Sequence, residues 1–462
     1  MIDTKDATVQ QRAQDYVSLI GNVLANKKRR ECFAVYAFGL IGDGERKSVE
    51  PIAARACGDP QDADPAHQRL LHFVGESAWS DREVRRTAAQ YAIAPMVKRQ
   101  PVEAWIVDDT GFLKQGKHSV GVQRQYTGSA GKITNCQLGV SLGVATRTEH
   151  LPVDFELYLP HCWTDDPIRR REGQIPDHIG FRTKPQLAMA MIRRAIADGL
   201  PRGVVLADVA YGNSSRFRAD LRAQNLDYAV GVEGSTKVWP VRGPKKRRGK
   251  AISVGELAMA MGIRSYRKVT WRQGSKEPLW SWFAACRVVV CHADGTPPAR
   301  RREEWLLIEW LPDESAPTKF TLSTLPRKTP MRRLVRLVKE RWRTERMYED
   351  LKGELGLDHF EGRRFRGWHH HVSVALCCYA FLVAEQVRRF PPSTRRSQRN
   401  HAQRRAARAA FRGLIHHGSP AGRQGNRALA PAVPVVSPRA DAISDPGLHP
   451  VAQTAVTPNL MQ

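Results

Sequence analysis

The chain has 462 residues, enough for two or three domains with their own cores, which excludes a small disulfide-stapled protein. Lys and Arg total 73 against 46 Asp and Glu, a formal charge of +27 and a sequence pI of about 10.2, so the expected partner is a polyanion, with nucleic acid foremost. The eight cysteines (32, 57, 136, 162, 286, 291, 377 and 378) show no CxxC pair and no zinc-ligand spacing, and "MIDTKDATVQQRAQDY" has neither a charged n-region nor an apolar h-region. Reduced thiols and a cytoplasmic protein are therefore expected. The longest apolar stretch, Val372 to Ala384, is shorter than the about 20 residues a bilayer requires, and predicts a buried helix and no membrane partner.

Residues 1–100 read as helical and basic, and Ser80 followed by Glu83 in "SDREVRRTAAQY" is a capping box that opens a helix. A helical DNA-binding domain is expected there, with an ordinary helical hairpin as the other reading. From Ala104 the pattern turns to strands: "AWIVDDTG", "HSVGVQRQY", the turn "TGSAGK" and "ITNCQLGVSLGV". A helix from Lys184 to Ala197 with Thr183 as N-cap follows, then the strand "GVVLAD" ending at Asp208, a helix near Ser214 to Gln224, and "DYAVGV". This alternation predicts an α/β core whose first part is 101–234. Residues 235–325 hold strand formers, six of the eleven tryptophans and the basic run "GPKKRRGK", and read as a β-rich insertion with a small core of its own. Helices of the core resume over 326–387. Between Arg388 and Arg427 there are eleven arginines and no acid, then Pro, Ala and Ser prevail, so 388–462 is expected to be a disordered basic tail.

Within "LVKERWRTERMYEDLKGEL", Leu337 to Leu355, and the residues just before it, a uniform helical wheel sets Leu334, Val335, Leu337, Val338, Trp342, Tyr348, Leu351 and Leu355 on one half, and Arg336, Lys339, Arg343, Arg346, Met347 and Asp350 on the other. Glu345 then points toward the core, where a carboxylate is costly unless a cation claims it. Together with the strand-end acids Asp108 or Asp109 and Asp208, it forms the set that a two-metal phosphoryl-transfer site draws from separate elements. The triplet His369 to His371 is discounted as a ligand set, since consecutive helical residues do not share a face.

Three segments carry a resemblance: "DDTGFLKQGKHSVGVQRQYTGSAGKITNCQLGVSL" (108–142), "LADVAYGNSSRF" (206–217) and "RWRTERMYEDLKGELGLDHFEGR" (341–363). The chain resembles the DDE transposases of bacterial insertion sequences, most closely the IS701 family of the IS4-like group, over roughly residues 20 to 385. Arg341, Glu345 and Lys352 match the R-x3-E-x6-K part of that group's Y-x2-R-x3-E-x6-K signature, and Val338 stands at the tyrosine's place. The group's D-x-T motif makes Asp108 the first ligand, with Asp109 as alternative, and "ADVAYG" makes Asp208 the second. The resemblance implies a ribonuclease H-like α/β core, a mixed sheet flanked by helices. It implies two Mg²⁺ ions, for which Mn²⁺ can substitute, held by Asp108, Asp208 and Glu345. It further implies double-stranded DNA as partner, with Arg341 and Lys352 on its phosphates, a homodimer assembled on transposon ends, and a place at the bacterial nucleoid. The segment "KHSVGVQRQY" puts Lys117, Arg124 and Gln125 near the first acid, where they either touch DNA or are solvated hairpin charges. A structure-selective nuclease on the same core and a catalytically inactive DNA-binding descendant are the alternatives.

Overall fold

The computed structural model describes residues 4–57, 63–241, 250–274, 277–291 and 302–389. The basic tail, apart from Arg388 and Arg389, and the run 243–249 lie outside the described residues.

Five helices open the described part: α1 (Thr4–Leu24), α2 (Lys27–Ile41), α3 (Val49–Ala56), α4 (Ala63–Gly75) and α5 (Asp81–Arg99). Asn26 caps α2 by accepting from the Lys28 amide at 2.9 Å. Ser80 caps α5 by accepting from the Glu83 amide at 3.2 Å, but the Glu83 carboxylate turns to Arg86 at 3.0 Å, so only half of the expected capping box forms.

The strands β1 (Val102–Leu113), β2 (Gln123–Thr127), β3 (Lys132–Thr146) and β4 (His150–Tyr158) come next. Residues 118–122, expected as strand, form a loop instead: Val120 and Val122 are buried there without strand pairing, so alternation reported burial and not a ladder. Short helices α6 (His161–Thr164) and α7 (Pro167–Glu172) lead to α8 (Lys184–Ala197), where Thr183 and Gln186 make the full reciprocal capping box. Then come β5 (Val204–Ala207), α9 (Val209–Gly212), α10 (Ser215–Ala223), β6 (Tyr228–Val232), β7 (Lys237–Pro240), β8 (Ile252–Ser253), α11 (Val254–Ala260), β9 (Arg267–Gln273), β10 (Pro278–Val290), β11 (Glu304–Trp310) and β12 (Lys319–Ser323). Three helices close the described part: α12 (Met331–Lys339), α13 (Trp342–Glu349) and α14 (Phe365–Arg389).

All twelve described strands belong to one sheet. β4, β3 and β1 form an antiparallel meander, β5 runs parallel to β1 and β6 parallel to β5. Beyond β6 the order continues β12, β11, β10, β7, β8, with β9 paired to β10. The Trp-rich stretch therefore extends the central sheet, while Val238, Val254, Leu257, Val288 and Ile308 gather in a cluster separate from the main core. The main core lies where α5 and α14 cover β4. Among the described residues α14 is the one helix long and apolar enough to cross a membrane, and its apolar window is wholly buried in the protein.

The histidines of α14 each serve a different neighbour. His370 lies between the carbonyls of Val74 (2.9 Å) and Trp79 (3.1 Å) and stacks on the Trp79 ring at 3.6 Å. His371 contacts the carbonyls of Gly356 and Leu357 and the Tyr36 hydroxyl. His369 contacts the Phe365 carbonyl at 3.1 Å and approaches Glu156 at 3.5 Å.

Candidate active site

The register of β1 against β5 sets the site. Ala104 pairs with Val204 and Ile106 with Leu206, a constant offset of 100, so position 208 falls beside position 108 just past the last pair. Parallel neighbours lie about 4.8 Å apart, which brings the two aspartates together at the carboxyl ends of their strands. Asp208 is the N-cap of α9 and accepts from the Ala210 amide at 2.9 Å, which fixes its side chain. α9 in turn rests on β6 through two glycines: a Cβ at Gly212 would collide with the Gly231 carbonyl, and one at Gly231 would stand 2.9 Å from the Val209 amide.

Asp108 is largely buried, with 15% of its side chain exposed. Burial lifts its carboxyl to about 6; Arg341 opposes the rise, and the charge of Asp208 adds to it. Arg341 Nη2 donates to Asp108 Oδ2 at 2.9 Å. Burial works against the charge of the same guanidinium, and the charges of Asp108, Asp208 and Glu345 together outweigh it and raise its pKa. The adjacent Asp109 points away, as alternation along a strand requires. Its oxygens accept from Lys184 Nζ at 2.9 Å and Tyr211 Oη at 3.1 Å.

The helix that brings Arg341 differs from the uniform wheel. At residues 340–344 the backbone bonds close over three residues, with the Arg343 amide to Glu340 O at 3.1 Å and the Thr344 amide to Arg341 O at 3.0 Å. Each such residue advances about 120° instead of about 100°, so the phase of α12 is not carried into α13. Asp350–Glu354 is then a π-helical turn, a second change of phase. As a result Arg343, Met347 and Asp350, placed on the polar half by the wheel, are buried, and Glu345, placed toward the core, is exposed. Arg343 braces the β3–β4 turn by donating to the carbonyls of Arg147 (2.6 Å) and Thr148 (3.1 Å). Tyr348 meets Ser141 of β3 at 2.6 Å beneath Asp108, and burial raises its phenol well above the ordinary range.

Among the described residues no three His, Cys, Asp or Glu side chains stand close enough to hold one metal ion together. Asp108 and Asp208 repel each other across the strand ends, and a guanidinium stands where their common counter-charge is needed. Two hard oxygen donors of like charge and an exposed third acid one helical turn from that arginine suit a divalent cation in donor chemistry.

The basic positions divide. Lys352 Nζ donates to the Gly111 carbonyl at 2.7 Å and to Ser129 Oγ at 3.2 Å, which ties the π-turn to β1 and its hairpin. Lys117 and Arg124 are exposed on the loop and hairpin after β1, and Gln125 donates to the Cys136 carbonyl at 3.0 Å within the sheet. Arg346, one turn beyond Trp342, pairs with Glu349 at 3.1 Å. From the Trp-rich strands, Arg272 of β9 lies 4.0 Å over the Trp342 ring and feels the charge of Glu345. Sequence reasoning does not single out Lys184, Tyr211, Tyr348 or Arg272. The first two carry a weak signal, since Lys184 opens a capped helix and Tyr211 follows Asp208 by three residues, but nothing local ties Arg272 to the acids.

The chain matches the family described as DDE superfamily endonuclease over residues 20–278, and the Transposase DDE domain over residues 182–381. It is 32% identical over 228 residues to a probable transposase for insertion sequence element IS701 from Microchaete diplosiphon, covering 49% of this chain and 54% of that protein. The chain thus spans about half the length of the curated relative it matches. A looser likeness, at TM-score 0.37 and 11% identity over 86% of this chain and 74% of the other, is to piggyBac transposase in a synaptic complex with hairpin DNA. Since the first family match takes in more than half of the chain and both strand-end aspartates, the protein belongs to the DDE endonuclease superfamily.

Proposed function

We propose that this protein is a transposase of the IS701 kind, which cuts DNA at the ends of its own element and joins the freed 3′ ends to a target by divalent-metal chemistry. One observation carries the reading: Asp108 and Asp208 lie at the ends of adjacent parallel strands, and Arg341 donates to Asp108 from the same segment that carries Glu345. The order β4-β3-β1-β5-β6, three antiparallel strands and then two parallel ones, supports a ribonuclease H-like core. Sequence similarity to the IS701 transposase supports the activity.

Asp108, Asp208 and Glu345 would hold two Mg²⁺ or Mn²⁺ ions, whose chemistry is to activate the attacking water or 3′-OH and stabilise the leaving oxygen. The chain's own part is positional. The Ala210 amide fixes Asp208, Tyr211 and Lys184 hold Asp109 out of the way, and Arg341 supplies charge at the strand ends. Lys352 spends two of an ammonium's three donors on Gly111 and Ser129, which leaves one for a phosphate. Lys117 and Arg124 would meet the backbone farther from the reacting bond. The working form would be a homodimer on double-stranded DNA at the nucleoid.

The test is an assay in Mg²⁺ on DNA carrying the element's ends. Asp108→Asn, Asp208→Asn and Glu345→Gln are each expected to lose about 100-fold or more in strand cleavage while retaining DNA binding. Substantial cleavage by any one removes that acid from the site. Cleaved ends that are never joined would favour a structure-selective nuclease.

A further inference from the structure

Two neighbouring carboxylates in a half-buried cleft need a positive charge, and here a side chain supplies it. Arg341 sits in the tight turn between α12 and α13, with Nη2 on Asp108 at 2.9 Å and its charge shared by Asp208 and Glu345. Its Nε is buried and donates to no acceptor among the described residues. Arg343, two residues on, spends its donors on Glu340, Arg147 and Thr148, whereas the one side-chain acceptor that Arg341 meets among the described residues is Asp108. Arg341 is thus anchored by its ion pair with Asp108, with its Nε unmet among the described residues.

We propose that Arg341 is an exchangeable counterion, which occupies the cation position among Asp108, Asp208 and Glu345 and is displaced when a divalent cation enters. The proposal rests on the reading of those acids as metal ligands. Its physical basis is that a guanidinium and a divalent ion a few ångströms apart repel, while both are attracted to the same oxygens. Metal entry therefore frees the arginine's planar fork inside the cleft, where a DNA phosphate matches it. Metal and DNA then assist each other's binding, and the empty cleft keeps its acids neutralised until both arrive.

The experiment is calorimetric titration of the full chain with Mn²⁺, without DNA, for the wild type, Arg341→Lys, Arg341→Gln and Asp108→Asn. Removing the competing cation should tighten Mn²⁺ binding by Arg341→Gln about tenfold or more. Arg341→Lys, whose ammonium lacks the fork and retreats more readily, should lie between it and the wild type. Without metal, Arg341→Gln should melt at a lower temperature, and Mn²⁺ should restore it more than it stabilises the wild type. Low concentrations of free guanidinium should compete with Mn²⁺ in Arg341→Gln and not in the wild type. Binding by Arg341→Gln that is unchanged or weaker overturns the proposal. If that variant does not fold, Arg341→Lys binding no tighter than the wild type overturns it equally. Asp108→Asn separates the two readings, because wild-type affinity in that variant would strike the ligand assignment itself.

Discussion

Glu345 and Glu349 lie one turn apart on α13 and both are exposed, but they keep different company. Glu349 is paired with Arg346 at 3.1 Å, whereas the charge of Glu345 acts on Arg341 and Arg272. Glu349→Gln is expected to retain most strand cleavage in Mg²⁺, and Glu345→Gln to lose nearly all of it. The reverse ranking would move the third ligand one turn along the helix. Asp108 and Asp109 pose the same question on a strand. Asp109 is held by Lys184 and Tyr211, so Asp109→Asn should act on stability, lowering it by about 1–3 kcal/mol in urea unfolding through a partly buried ammonium left without its carboxylate. Its Mn²⁺ affinity in the calorimetric titration should remain near that of the wild type. A large loss of metal binding with unchanged stability would make Asp109 the ligand in place of Asp108.

At the level of elements, α14 carries a built-in response to acid. Burial in the core lowers both His370 and His371 to about 4, against 6.5 for a solvated imidazole, and outweighs the carbonyls facing each ring, which favour the protonated form. The folded state thus keeps both rings neutral where the unfolded chain would bind protons. Their contribution is fully present above about pH 6.5 and is lost as pH falls toward about 4, on the order of 2–3 kcal/mol each. Asp108, raised to about 6, has the opposite sign over part of this window, since its folded form binds a proton more readily than the unfolded one. Two histidines outweigh one aspartate, so unfolding free energy should fall from pH 7 to pH 4.5. His370→Gln should flatten that slope, and a slope unchanged in the variant would show that His370 does not report the pH. The same helix and its neighbours show why element edges were harder to read than element types. α8 and α10 begin where Thr183 and Ser214 cap them, signals carried in adjacent residues. The turn at 340–344 and the π-turn at Asp350–Glu354 have no such marker, because packing of Tyr348 and Met347 against β3 and β4 sets them.

For the whole molecule, charge is the dominant fact, +27 in all, and residues 388–427 concentrate it without an acid. The eleven arginines from Arg388 to Arg427, with no acid among them, should add sequence-independent affinity for DNA by releasing counterions. Deleting residues 388–462 is expected to flatten the salt dependence of DNA binding measured by anisotropy; an unchanged slope would make the tail inert in binding. The alternation of strands and helices around an α/β core, the ends of α8, and Asp108, Asp208 and Glu345 as candidate acids could all be read from the chain alone, because periodicity, capping and motif spacing are local properties. Tertiary contacts alone show that the Trp-rich strands continue the central sheet, that Glu345 faces solvent, and that Arg341 pairs with Asp108 from a distant segment of the chain. Those outcomes depend on strand register and on where a helix changes phase, and both are set by contacts between segments that no local pattern records.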